Sequence, residues 1–249
     1  MALFAPKCPV TERERTWIHE SLSWFRGQFG DDPLRAPVVL PTSEYFPPPY
    51  EGNDDDVRAL VGRVAGYMGV QADLTVRFSD DIAHVRNLQQ SMLGGMSSSS
   101  GAAGTYRPHD GQPVLTIDRS NVADPARMVA VIAHELGHVR LLGEERITAE
   151  RADHEPLTDL VTVYLRMGIF TANAAFSFSQ HSGGQRMGWQ AQRLGYMTEQ
   201  MFGYGFAGLA MLRGEPDPSW ARYLDTNPRA YLKNGIRYLR HNPDPAIGG

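Results

Sequence analysis

Val129–Glu144 is apolar on most of its faces yet carries two histidines and an acid at its centre. A chain holding such a stretch must bury it, and must then find partners for the polar groups that go in with it. Asp124-Pro125 ahead of it reads as an N-cap followed by proline at the first helical position, so a central helix is predicted over about 125–142, stopping near Gly143. Within it, His134-Glu135-Leu136-Gly137-His138 puts two imidazoles at i and i+4 on one face, about one turn apart. That spacing suits two nitrogen ligands to one zinc ion. Glu135, beside the first histidine, is then placed to take a proton from a zinc-bound water.

A catalytic zinc takes three protein ligands and keeps one position open. A metzincin would carry glycine three residues after His138 and histidine six after it; Leu141 and Glu144 stand there instead. A carboxylate from a following helix is the other option. Glu155 lies 17 residues beyond His138, room for a turn and the start of an antiparallel helix. Asp159 is one turn further on the same face, where it can accept an N–H from a ligand histidine. Pro156 suggests a helix that begins with Glu155 at its N-cap. Asp153, Glu150 and Glu144 therefore stay open as alternative carboxylates, and His154 as an alternative nitrogen.

His134-Glu135-Leu136-Gly137-His138 followed by Glu155 and Asp159 resembles the gluzincin metallopeptidases, over about 30 residues of the chain. The resemblance implies zinc held by His134, His138 and Glu155, Glu135 as general base, and Asp159 orienting a ligand. It also implies an edge strand upstream of the metal helix that pairs with an extended peptide substrate, a place that 104–107 or 114–118 would fill. The developing oxyanion needs a donor besides zinc, for which His181, Tyr196 and Tyr204 are the candidates.

Elsewhere the pattern predicts helices and a few strands. Thr11-Glu12-Arg13-Glu14 reads as a capping box opening a helix over about 11–29. The run 36–40 is a strand candidate, and 41–53, with four prolines, an extended surface segment. Asp54-Asp55-Asp56 sets negative charge at the start of a helix reaching about Gly69, and 74–78 alternates as a strand. A helix is possible over 80–93, 94–104 is a Gly/Ser-rich loop, and Asp110-Gly111 is a hairpin turn signal between 104–107 and 114–118. After the metal helix come helices over about 155–168, 189–213 and 227–240, a loop over 171–188, a short turn at 220–224, and a frayed tail from Asn242. The layout is α+β and zincin-like, one domain over 1–249. A mixed part (about 1–143) puts a small sheet on the metal helix, and a mostly helical part (about 144–249) follows.

The formal charge of −4 gives no electrostatic case for nucleic acid or an anionic membrane surface, and no run reaches the apolar length of a membrane span. Cys8 is the single cysteine, which excludes a cysteine zinc ribbon and an internal disulfide. Met1–Val10 lacks the pattern of a signal peptide, so a cytoplasmic protein is expected. The functional expectation is a zinc peptidase acting on a peptide or protein. The same zinc water would serve a non-peptide amide hydrolase, and a non-catalytic zinc-stabilised binding or regulatory protein is the rival from another class. Glu135 favours catalysis, because a structural zinc has no use for a base beside its ligand.

Overall fold

The computed structural model describes residues 5–79, 104–109, 112–119, 122–181 and 197–247. Helix α1 (Glu12–Phe29) opens with the expected capping box: Thr11 Oγ1 accepts from the Glu14 N–H, and the Glu14 carboxylate accepts from the Thr11 N–H at 2.8 Å. It buries Ile18, Leu22 and Phe25. After the single turn α2 (Asp32–Arg35) the predicted strand at 36–40 does not form. Pro37 removes a ladder donor there. Val38 and Val39 are buried all the same, tied down by the Val39 N–H donating to the Arg166 carbonyl at 3.1 Å. The proline-rich 41–53 is irregular, as predicted, and α3 (Asp54–Met68) follows, with the Asn53 side chain accepting from the Asp55 and Asp56 N–H groups.

Strands β1 (Thr75–Ser79), β2 (Gly104–His109) and β3 (Gln112–Asp118) form a sheet in the order β1-β3-β2. β1 is parallel to β3 and β2 antiparallel to it. The pairing of His109 with Gln112 leaves two residues between the strands. They are the predicted Asp110-Gly111, which lie outside the described residues, as do 80–103 with their predicted helix and Gly/Ser-rich loop.

The central helix α4 (Pro125–His138) is capped by Asp124, whose side chain accepts from the Arg127 N–H at 3.0 Å, with Pro125 in the first turn. It packs on α3 and β2 from the mixed part, and on α5 (His154–Tyr164) and α6 (Gly168–His181) from the helical part. The predicted α-helix to 142 ends instead at His138, and Val139–Gly143 continue as a π-turn. α6 replaces the predicted loop over 171–181. The polar residues that suggested a loop bond within the helical layer: the hydroxyls of Thr162 and Thr171 pair at 2.7 Å, and Phe170 and Ala172 are buried. Residues 182–188 of that prediction lie outside the described residues.

α7 (Glu199–Leu212) starts ten residues later than predicted, because Thr198 caps it by accepting from the Met201 N–H; 189–196 lie outside the described residues. A 3₁₀ turn (Ser219–Tyr223) and α8 (Thr226–His241) complete the chain. The expected frayed tail is anchored instead. Asp244 accepts from His19 Nδ1 at 2.8 Å, and Ile247 is buried in the apolar core that also holds residues of α1 and α4. No helix among the described residues is long and apolar enough to cross a membrane.

A Cβ on Gly203 would collide with Tyr231 and lie 2.8 Å from the Pro228 carbonyl, so Gly203→Ala forces α7 and α8 apart. Urea denaturation should show a loss of about 1–3 kcal/mol. Tyr164 donates its hydroxyl to the Gly30 carbonyl at 2.7 Å, and burial pushes its phenol from 10.0 to about 12. Its stabilising contribution is present below pH 10 and lost as pH rises toward 12, since the unfolded chain ionises first. Tyr164→Phe should flatten that alkaline decline in denaturation curves measured against pH.

Candidate metal centre

The α4 face that turns toward α5 carries His134 and His138 at helical i and i+4 positions, their rings 4.9 Å apart and nearly perpendicular. Opposite them stands the first turn of α5. Asp153 occupies its N-cap position, so Glu155 lies one residue inside the helix and not at the cap as predicted. Pro156 sits in that first turn, where its missing N–H has no intrahelical partner to lose. The helix therefore starts before the acid and holds it rigidly.

Glu155 Oε2 lies 3.4 Å from His134 Nε2 and 3.6 Å from His138 Nε2. Two donors sharing a tetrahedral zinc at the usual bond lengths stand about 3.3–3.4 Å apart. These separations match that spacing and exceed a good N–H···O contact. On its other side, His134 Nδ1 is 3.0 Å from Asp159 Oδ1. A carboxylate only accepts, so Nδ1 carries a proton and Nε2 is the nitrogen turned toward Glu155. His138 Nδ1 lies 3.2 Å from Thr158 Oγ1. Glu155 Oε2 is buried and has no hydrogen-bond partner among the described residues. An orphaned carboxylate oxygen facing two imidazole nitrogens in an apolar surround is the arrangement a cation resolves. His134, His138 and Glu155 can hold a metal ion, their ligand atoms all lying within 4.8 Å of one another.

The electrostatics agree. Burial pushes the Glu155 carboxyl up, but the imidazoles of His134 and His138 outweigh it and hold the acid below its ordinary range. Burial likewise opposes charge on His134, and the Asp159 and Glu155 carboxylates beside it outweigh that and raise it well above its ordinary value. In the absence of a metal ion, a proton takes the cation's place. Glu135 is buried beside His134 and adds to the same negative field.

The alternative ligands are committed elsewhere. Asp153 accepts from Trp17 Nε1 at 2.7 Å and pairs with Arg151, while Glu144 pairs with Arg140 and Arg146. Glu150 is exposed and bonds locally to Thr148. His154 donates Nδ1–H to the Arg151 carbonyl at 2.9 Å, and its Nε2 stands 3.4 Å from Glu155 Oε1, the other oxygen from the one that His134 and His138 face. Among the described residues the group that could hold a metal ion is thus His134, His138 and Glu155, with no fourth histidine, cysteine or acid in the set.

The oxyanion candidates fare differently. Tyr204 is buried among α1 and α8, its hydroxyl 2.9 Å from His19 Nε2 and its ring stacked on that imidazole, so it serves the anchor of the C-terminal residues and not the metal face. His181 ends α6, correcting its predicted place in a loop, and Tyr196 lies outside the described residues. Two residues that sequence reasoning passed over also matter. Thr158 is one turn from Glu155 on the same side of α5, a spacing that marks it in retrospect. Gly137, inside the motif, is where the two helices touch: a Cβ there would lie 2.9 Å from Thr158 Cγ2.

Comparison with family models, curated proteins and solved structures finds no match to this chain. The site's geometry alone therefore carries the reading. Asp159→Asn weakens the acceptor behind His134 while keeping its shape; competition with a chromophoric chelator should show metal affinity reduced about 10–100-fold.

Proposed function

We propose that this protein is a zinc-dependent hydrolase, a peptidase of gluzincin type. The observation that carries the reading is the convergence of two imidazole nitrogens and an orphaned carboxylate oxygen on one buried point, with Glu135 alongside and no fourth metal-binding side chain in the set among the described residues. Two nitrogens and one carboxylate oxygen form a donor set that suits zinc, and a catalytic zinc of that kind supplies a water of pKa near neutrality and a polarised carbonyl. Glu135 takes a proton from the attacking water and returns it to the leaving amine. Asp159 keeps the His134 proton on Nδ1 throughout. A structural zinc would be closed by a fourth protein ligand and would need no buried acid next to its first histidine.

The sheet supports a peptide substrate. Of the two strands considered for substrate pairing, β3 is excluded, because β1 and β2 flank it on both sides. Among the described residues β2 is an edge strand that packs beside α4, a place where an extended chain can add to the sheet. Pro108 in β2 suits an edge position. A lone cysteine suits a reducing compartment, and we take the cytoplasm as the protein's setting.

Elemental analysis of the purified protein should find zinc near one equivalent per chain. Glu135→Gln should retain that zinc and cut hydrolysis of a casein or mixed-peptide substrate by about 100-fold or more. His138→Ala should lose the metal. Stoichiometric zinc with no cleavage of any peptide or simple amide by the wild-type protein would overturn the hydrolase reading and leave a zinc-stabilised binding protein.

A further inference from the structure

We infer that Thr158 is a positioning residue for the metal centre, setting the proton of His138, and that Gly137 is glycine so that Thr158 can reach it. The inference rests on the metal-site reading above and adds to it the partner of the second histidine.

Thr158 is fully buried, and its hydroxyl donates to the His154 carbonyl one turn back at 2.8 Å. Such a back-bond is common for threonine in a helix and would by itself be structural. A hydroxyl has a single proton, however, so once it is given to His154 the oxygen can only accept from any further partner. That partner is His138 Nδ1, 3.2 Å away on the neighbouring helix. Nδ1 must therefore carry hydrogen, and Nε2 keeps its lone pair on the side of Glu155. A free imidazole has no such constraint and distributes its proton between the two nitrogens.

The contact exists only because the helices approach closely. A Cβ at position 137 would meet Thr158 Cγ2 at 2.9 Å, the Thr158 carbonyl at 3.3 Å and Val161 Cγ1 at 3.3 Å. Any side chain there pushes α5 away and breaks a 3.2 Å contact first. The choice of a hydroxyl also fits the local charge. Glu135, Glu155 and Asp159 already bury three acids around the two imidazoles. A carboxylate behind His138 would add a fourth in the same low-dielectric space, whereas a neutral acceptor fixes the proton without that cost.

The test uses full-length protein labelled with ¹⁵N-histidine. In the metal-free wild type, long-range ¹H–¹⁵N correlations should show His138 protonated at Nδ1. Thr158→Val, which keeps the shape and removes the oxygen, should shift the proton toward Nε2 and weaken zinc binding about 10–100-fold in chelator competition. Thr158→Ser should restore both the Nδ1–H form and an affinity close to wild type. If Thr158→Val does not fold, Thr158→Cys, whose sulfur is a weak acceptor, takes its place with the same expected direction. An unchanged His138 tautomer together with unchanged zinc affinity in the valine or cysteine variant would overturn the inference and leave Thr158 as a back-bonded core residue. A wild-type protein that binds no zinc would overturn the proposed function instead, while the metal-free tautomer would still decide the role of Thr158.

Discussion

The convergence of two imidazole nitrogens and one carboxylate oxygen on a single buried point governs how α4 and α5 pack. His134 Nε2, His138 Nε2 and Glu155 Oε2 meet in an apolar interior, where each would be unwelcome alone and where together they repel unless a positive charge lies among them. Leaving a buried acid uncompensated costs several kcal/mol, comparable with a large part of a domain's net stability. The fold must therefore hold α4 and α5 in register firmly enough to resist that repulsion. It does so with apolar burial along both helices, and with the anchoring of the polar atoms that point away from the centre, Nδ1 of each histidine onto α5.

Much of this was legible in the residues. The i, i+4 histidines, the Asp124-Pro125 start and the apolar surround of the motif fix a buried helix and one face of a site before any coordinates are known. The capping box of α1, the acidic first turn of α3 and the Asp-Gly turn signal are equally local, and α1, α3 and the β2–β3 pairing follow them. The failures share a cause. The run 36–40 has strand composition but no strand partner among the described residues, and 171–181 has loop composition yet forms a helix once Thr162 and Thr171 satisfy each other. Pairing and burial are decided by neighbours far along the chain, and no window of sequence contains them.

The candidate site divides along the same line. Spacing alone brings out Glu155 and Asp159, because an α-helix converts four residues into one turn. Thr158 and Gly137 need the crossing of two helices, so their part emerges only when α4 and α5 are set against each other. Tyr204 shows the converse: a tyrosine in a helix near the site has every local credential, and its hydroxyl turns out to hold His19, which in turn holds Asp244 and the C-terminal residues. Likewise the widened turn after His138 falls where the motif ends, so the downstream residues do not continue the face that presents the ligands.

Asp159 divides its two oxygens between partners of different kinds. Oδ1 faces His134, and Oδ2 accepts the Met197 backbone N–H at 3.0 Å, just ahead of α7. A side chain tethered at both ends behaves as a strut. Any displacement of the backbone at Met197 is passed to the orientation of an imidazole, and any cation drawn to that imidazole stiffens the approach to α7 in return. The orientation of His134 and the seating of a helix well outside the cluster are thus fastened to the same carboxylate.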